Sequence, residues 1–188
     1  MTIALRAGAA GCLLALLFGT AACDSATPTP PAAPAVAAAS AGSSGFFGGT
    51  DLAWVEINIA MNEQLIPLLD LAPKQSSDPA VRQLATEVRA ANEQELGTLR
   101  TLHDQAGLPS ENPHEGMPMP GMVTPEQVTA AGKLQGAAFD KAFKEHLAAH
   151  FKQGVQLAGS EKKAGVEPQT LALATRMLST REKYLPTL

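Results

Sequence analysis

Between Asp51 and Leu71, the apolar residues Trp54, Ile57, Met61, Leu65, Leu68 and Leu69 recur at spacings of three and four with polar residues between them. That period draws one apolar stripe down a helix. Pro67 is expected to kink this helix or mark its weak point, because proline removes a backbone donor. A second stripe, Val81, Leu84, Ala85, Val88, Leu96, Leu99 and Leu102, opens after Asp78-Pro79, a cap followed by proline in the first turn, and fades at Gly107. Thr124-Pro-Glu-Gln127 reads as a capping box with proline at its first position and predicts a short extra helix. Phe139, Phe143, Leu147, Phe151 and Val155 form the next stripe, which Gly165 closes. Glu167-Pro168 then opens the last helix, carrying Leu171, Ala174, Met177, Leu178 and Leu185. Asp51 and Asp140, at matched positions before Trp54 and Phe143, read most simply as helix caps.

These pieces repeat. An ungapped shift of 89 positions lays Asp51 on Asp140, Trp54 on Phe143, Ala60 on Ala149, Gln64 on Gln153 and Lys74 on Lys163. It also lays Asp78-Pro79 on Glu167-Pro168, Leu84-Ala85-Thr86 on Leu173-Ala174-Thr175, and Leu96 on Leu185. The expected fold is therefore all-α: two helical hairpins, 51–107 and 124–188, each too small to bury its own apolar face, packed as a four-helix bundle across a long crossover, 108–123.

Composition supports this reading and limits the function. The 188 residues are 45% apolar with 4% aromatics and a net charge of -4. That is enough for one globular domain rich in helix formers. Lys and Arg do not cluster, so no nucleic acid partner is expected. Residues 1–22 follow the three-part plan of a secretory signal, with Arg6, an apolar run to Phe18, then small residues up to Cys23. Ala21-Ala22-Cys23 matches a bacterial lipobox, with Thr20 where that motif usually has Leu. Cys23 is the expected lipidation site and the chain a membrane-anchored, extracytoplasmic lipoprotein; the alternative is ordinary cleavage and secretion. Cys12 would leave with the signal, so the mature domain would hold no free thiol and no disulfide. Residues 23–50, rich in Pro, Ala, Gly and Ser, bury too little to fold and read as a tether of roughly 30 Å, with Phe46-Phe47 as a plug against the domain.

At this point the chain resembles a known family. "FDKAFKEHLAAHFKQGVQLA", "DPAVRQLATEVRAANEQELGTL" and "GMPMPGMVTPEQ" are similar, in order and over roughly Thr50 to Leu188, to the ferritin-like bacterial family called domain of unknown function 305. The resemblance implies an exported helical bundle, often a lipoprotein, with some members associated with copper handling. The family pattern has Met-x-x-His-His on the first helix of each hairpin and Gln-x-x-Glu on the second, facing inward. Here those positions hold Asn58, Met61 and Asn62, then Asn92 and Glu95, in the first hairpin. In the second they hold His150 and Phe151, then Arg181 and Tyr184. An inward arginine repels a cation, so the resemblance implies a largely dismantled site.

The remaining chemistry is concentrated in "HEGMPMPGM", His114 to Met122, within the crossover. Thioether sulfur suits Cu(I), and a Pro-Gly loop can fold Met117, Met119 and Met122 around one ion, with His114 or His103 adding a nitrogen. The plain alternative is a turn anchored by Met. His146 and His150, one helical turn apart, can chelate a divalent ion or form a polar edge with one core histidine. Glu95 and Asn92 interrupt an apolar stripe, either as the remnant of a ligand pair or, the favoured reading, as an interior polar network in which Glu95 pairs with Arg181. No Glu-x-x-His occurs on any predicted helix, and no nucleophile with a base, phosphate loop or dinucleotide fingerprint is visible. The sequence therefore favours a binding protein, not an enzyme, with copper(I) as the cofactor the loop suits. A metal-free lipoprotein scaffold is the alternative. The membrane is the expected partner through Cys23; a protein partner is not identifiable, and a homodimer stays open.

Overall fold

The computed structural model describes residues 46–188. The signal region, Cys12, Cys23 and most of the tether lie outside the described residues. Within them the chain is all-helical: α1 (Gly49–Leu69), α2 (Ala72–Gln75), α3 (Pro79–Ala106), α4 (Pro125–Ala131), α5 (Gly136–Ala164) and α6 (Pro168–Tyr184), followed by a 3-10 turn, Leu185–Thr187. No strand occurs among the described residues.

The helices start where local chemistry supplies the missing backbone acceptors. Asp78 accepts from Ala80 N–H ahead of Pro79, Thr124 and Gln127 close a capping box ahead of Pro125, and Glu167 accepts from Thr170 N–H ahead of Pro168. The starts of α3 and α6 thus fall at repeat-related positions. A left-handed Gly107 ends α3 and Gly165 caps α5.

α1 packs on α3 and α5 on α6 as hairpins, while α1·α5 and α3·α6 contacts close the ring. Two apolar layers fill it. One gathers Leu65, Leu68, Val81, Val88, Phe139, Phe143, Leu147 and Phe151, and the other Trp54, Val55, Ile59, Leu96, Leu99, Leu102, Leu173 and Met177. Phe139, Phe143 and Leu147 are wholly enclosed, and each such side chain contributes about 1.5–3 kcal/mol of hydrophobic stabilisation. Between the layers lies a belt of buried polar side chains: Asn58, Asn62, Asn92, Glu95, His150 and Arg181.

Four details differ from the sequence reading. Asp140 is not a cap, since α5 already starts at Gly136; its Oδ1 is buried without a partner. Pro67 does not end α1, which runs two residues beyond it with the ring exposed. Phe47 packs on the core but Phe46 stands 83% exposed. The buried face of α6 runs through Thr170, Leu173, Ala174, Met177, Arg181 and Tyr184, leaving Leu171 and Leu178 at its flank. Arg181 finds a buried carboxylate and the Tyr184 hydroxyl reaches Glu87 at the rim, so the buried face is wider than an apolar stripe reveals.

Candidate metal site and the buried polar core

The crossover is held to the bundle by polar contacts along its length. Asn112 donates to the carbonyl of Glu56 on α1 (2.8 Å) and accepts from His114 N–H (2.8 Å), which starts a turn. The amide of Gln64, oriented so that both its groups are satisfied, donates to Val123 O (3.1 Å) and accepts from Gly116 N–H (3.2 Å). A second turn closes from Met122 N–H to Met119 O (3.1 Å). Between those methionines Gly121 takes φ +74° directly against α5: a Cβ there would stand 2.5 Å from Gln153 Cβ and 2.7 Å from Ala149 O. Only glycine permits both the left-handed backbone and that approach.

This anchoring sorts the loop methionines by depth. Met122 is buried and packs with Met61 and Ala60 of α1, Met119 packs against the same cluster half-buried, and Met117 stays outside, 47% exposed. His150 of α5 is buried beside the backbone of Gly121. Its Nδ1 is buried without a partner. Burial first, then the charge of Arg181, hold the ring neutral, with its pKa lowered to about 3 against the opposing pull of Gly121. The repeat relates Met61 to His150, and both are buried, Met61 against Met122 of the loop and His150 beside Gly121. Thus Met119, Met122 and His150, picked out by sequence, come to one locality, and Met61 joins them. Three thioethers and a neutral imidazole with a free lone pair are a donor set that fits a soft monovalent ion. Met61 was legible only as part of a core stripe.

The other candidates lie elsewhere. His146 is half-buried one turn from His150, His114 is half-buried with Nδ1 unpartnered, and His103 sits 3.6 Å from Asp104 in the last turn of α3. Among the described residues no group of three or more His, Cys, Asp or Glu is arranged to hold an ion.

The centre of the bundle carries an ion pair. Arg181 bonds Glu95 with both terminal nitrogens, Nη2 to Oε2 at 2.7 Å, with both side chains nearly inaccessible. Asn62 donates to the same carboxylate (3.1 Å), and Asn92 donates to Asn62 O (2.9 Å). The guanidinium also lies 5.4 Å from the Phe151 ring, and Gly154 leaves it room. A carboxylate taken out of water is tolerated because a bidentate arginine and an amide satisfy it. Tyr184 donates instead to Glu87 (3.0 Å), nearer the surface.

A second buried polar group joins Asp51, which the sequence offered only as a helix cap, to Glu161, which it did not single out. Asp51, fully buried, accepts from Gly48, Val166 and Glu167 N–H groups at 2.7, 3.0 and 3.1 Å, so it ties the start of α1 to the α5–α6 turn. Burial raises its pKa, but Glu161 and these backbone donors outweigh burial and hold the carboxyl below its ordinary range. Glu161 is also fully buried, and neither of its oxygens meets a donor from another residue. Burial, then Asp51 and Glu167, push its pKa up to about 8, so Glu161 keeps its proton at neutral pH beside the ionised Asp51. A Cβ at Gly165 would collide with Glu161 Oε1 and stand 2.8 Å from Asp51 Oδ1. The signal in the sequence was Glu161 falling on the inward face of α5 after Gly154 and Ala158.

Residues 51–188 match the family described as "Domain of unknown function (DUF305)", and the chain belongs to that family. Similar solved structures share its fold. A DUF305 protein from Streptomyces coelicolor is 20% identical, with 73% of this chain and 87% of that one covered at a TM-score of 0.67. A DUF305 fragment from Deinococcus radiodurans is 16% identical over 75% and 93%, with a TM-score of 0.66. CopM in a Cu(I)-bound form is 18% identical over 74% and 93%, with a TM-score of 0.63. No curated protein matches the sequence.

Proposed function

We propose that this protein is an extracytoplasmic, lipid-tethered binding protein for a soft monovalent metal ion, Cu(I) in the first instance, held by Met61, Met119 and Met122 with His150 Nδ1. The observation that carries the reading is the burial of Met61 and Met122 in one cluster, joined by Met119, beneath a loop that reaches the unpartnered His150. Thioethers and imidazole bind Cu(I) through soft lone pairs, and the ion would bring a charge that the buried donors alone do not have. Glu95 pairs with Arg181 and offsets part of the charge that would repel a cation. A groove of about 580 Å3 between α1, the crossover and α4 gives access: Ala60 lines it and packs behind it on Met61 and Met122, while Met117, Glu115 and Glu126 stand along it. The Cu(I)-, Cu(II)- and Ag-bound forms of CopM, a protein of the same fold, support a metal role. Binding, not catalysis, is the proposed activity, since the buried carboxylates Glu95 and Glu161 are engaged by Arg181 and Asp51.

A second reading rests on the ion pair. Glu95 and Arg181 fill the centre of the bundle, which favours a metal-free scaffold in which the Met loop merely caps one face. A Cu(I) titration of the full chain in competition with a colorimetric chelator separates the two. The metal reading expects stoichiometric binding, lost in Met119→Leu/Met122→Leu, weakened in Met61→Leu and retained in Met117→Leu. Failure of the wild type to compete establishes the scaffold reading.

A further inference from the structure

The geometry points to a lipid-docking face at the end of the bundle formed by the start of α1, the last turn of α5 and the α5–α6 turn, which seats on an anionic bilayer surface. This goes beyond metal binding and does not depend on it.

Three large apolar side chains among the described residues stand exposed, and two of them, Phe46 at 83% and Val166 at 53%, belong to this end. Gly48, two residues after Phe46, lies against Val166, with a Cβ at Gly48 only 3.1 Å from Val166 Cγ2. Lys162 and Lys163, both exposed on the last turn of α5, flank them. Apolar side chains that enter the interface, with lysines able to meet lipid phosphates, are the combination that holds a protein on an anionic membrane.

The acids of this end are arranged so as not to oppose it. Asp51, Glu161 and Glu167 are all withdrawn from solvent, the first and last on backbone N–H groups and Glu161 against Asp51. Asp104, on the last turn of α3, and Glu111, just beyond it, are exposed acids near this end. α6 adds only Pro168, Gln169 and Thr170 to this end, none of them charged. The chain leads the same way: Phe46 stands 23 positions after Cys23, so a lipid at Cys23 would attach to the bundle through this end.

The unaltered full chain tests this by amine acylation with and without vesicles, read by mass spectrometry. Lys162 and Lys163 should be protected several-fold by phosphatidylglycerol vesicles but not by phosphatidylcholine vesicles, while Lys141, near the start of α5, stays reactive. A second measurement places a reporter on the face with Phe46→Trp and compares it with Gln135→Trp at the other end, in vesicles whose acyl chains carry bromine. Quenching is expected at position 46 alone, and is expected to fall when Lys162→Glu and Lys163→Glu are added. Equal reactivity of all three lysines, equal quenching at both ends, or quenching at 46 that ignores the lysine reversal would overturn the proposal. The last outcome would assign the proximity to the tether alone.

Discussion

Replacing Arg181 by methionine isolates what the central ion pair contributes. Methionine keeps much of the aliphatic stem that passes Gly154 and the Phe151 ring, and removes both hydrogen bonds to Glu95. Glu95, with a side chain 9% exposed, is left with the single donor Asn62. Breaking a buried pair on one side costs about 3–5 kcal/mol, since an uncompensated carboxylate stays behind. For a domain of this size a loss of 3 kcal/mol lowers the melting temperature by roughly 10 °C. Arg181→Met/Glu95→Leu removes both charges, and should recover most of the loss, because a buried pair replaced by apolar groups is often neutral or better. Urea unfolding followed by far-ultraviolet circular dichroism reads both variants as midpoint shifts at unchanged slope. A single variant within about 0.5 kcal/mol of the wild type, the size of an ordinary surface substitution, would refute the reasoning, as would a double variant no better than the single.

Further expectations concern the end of the bundle, the loop and the anchor. Glu161 has a folded pKa raised from 4.5 to about 8, so its stabilising contribution is complete below pH 4.5 and is lost as pH rises toward 8, by up to ~1.4 kcal/mol per pH unit. Urea midpoints from pH 5 to 8 should fall less steeply in Glu161→Gln than in the wild type; identical slopes would remove the proton from the Asp51 contact. Gly121→Ala forces a side chain into the backbone of α5 at a positive φ, at a conformational cost of about 1–2 kcal/mol before the clash. It should lift the loop and weaken Cu(I) binding while the helix content is kept, and unchanged affinity would separate the loop from the site. Cys23→Ala should move the protein from membrane to soluble fractions on cell fractionation; continued membrane association would count against lipidation.

The helices were legible in sequence where one residue or one short motif decides the outcome. Asp78-Pro79, Thr124-Pro125 and Glu167-Pro168 start helices because cap and proline act within one turn, and the aromatic stripe of α5 buries as its period requires. The pairing of Glu95 with Arg181 could be anticipated because a lone charge on an inward face needs an opposite one. Asp51 was legible only as a cap: its donors Val166 and Glu167 lie 115 and 116 residues away, which no local pattern encodes. Glu161 was hidden for the same reason, and α2, a single turn with Pro73 inside, is too short for a period to show. The loop gave its methionines as equals, whereas their depths follow from how Gly121 and Gln64 fasten the crossover to α5 and α1.

The most direct test of the central claim is the copper K-edge absorption spectrum of the full chain loaded with one equivalent of Cu(I), beside Met119→Leu/Met122→Leu. A first shell dominated by sulfur with one nitrogen, and loss of that sulfur in the variant, is the result this account predicts. A shell of nitrogen and oxygen alone, or a sulfur shell that survives the substitutions, would contradict it.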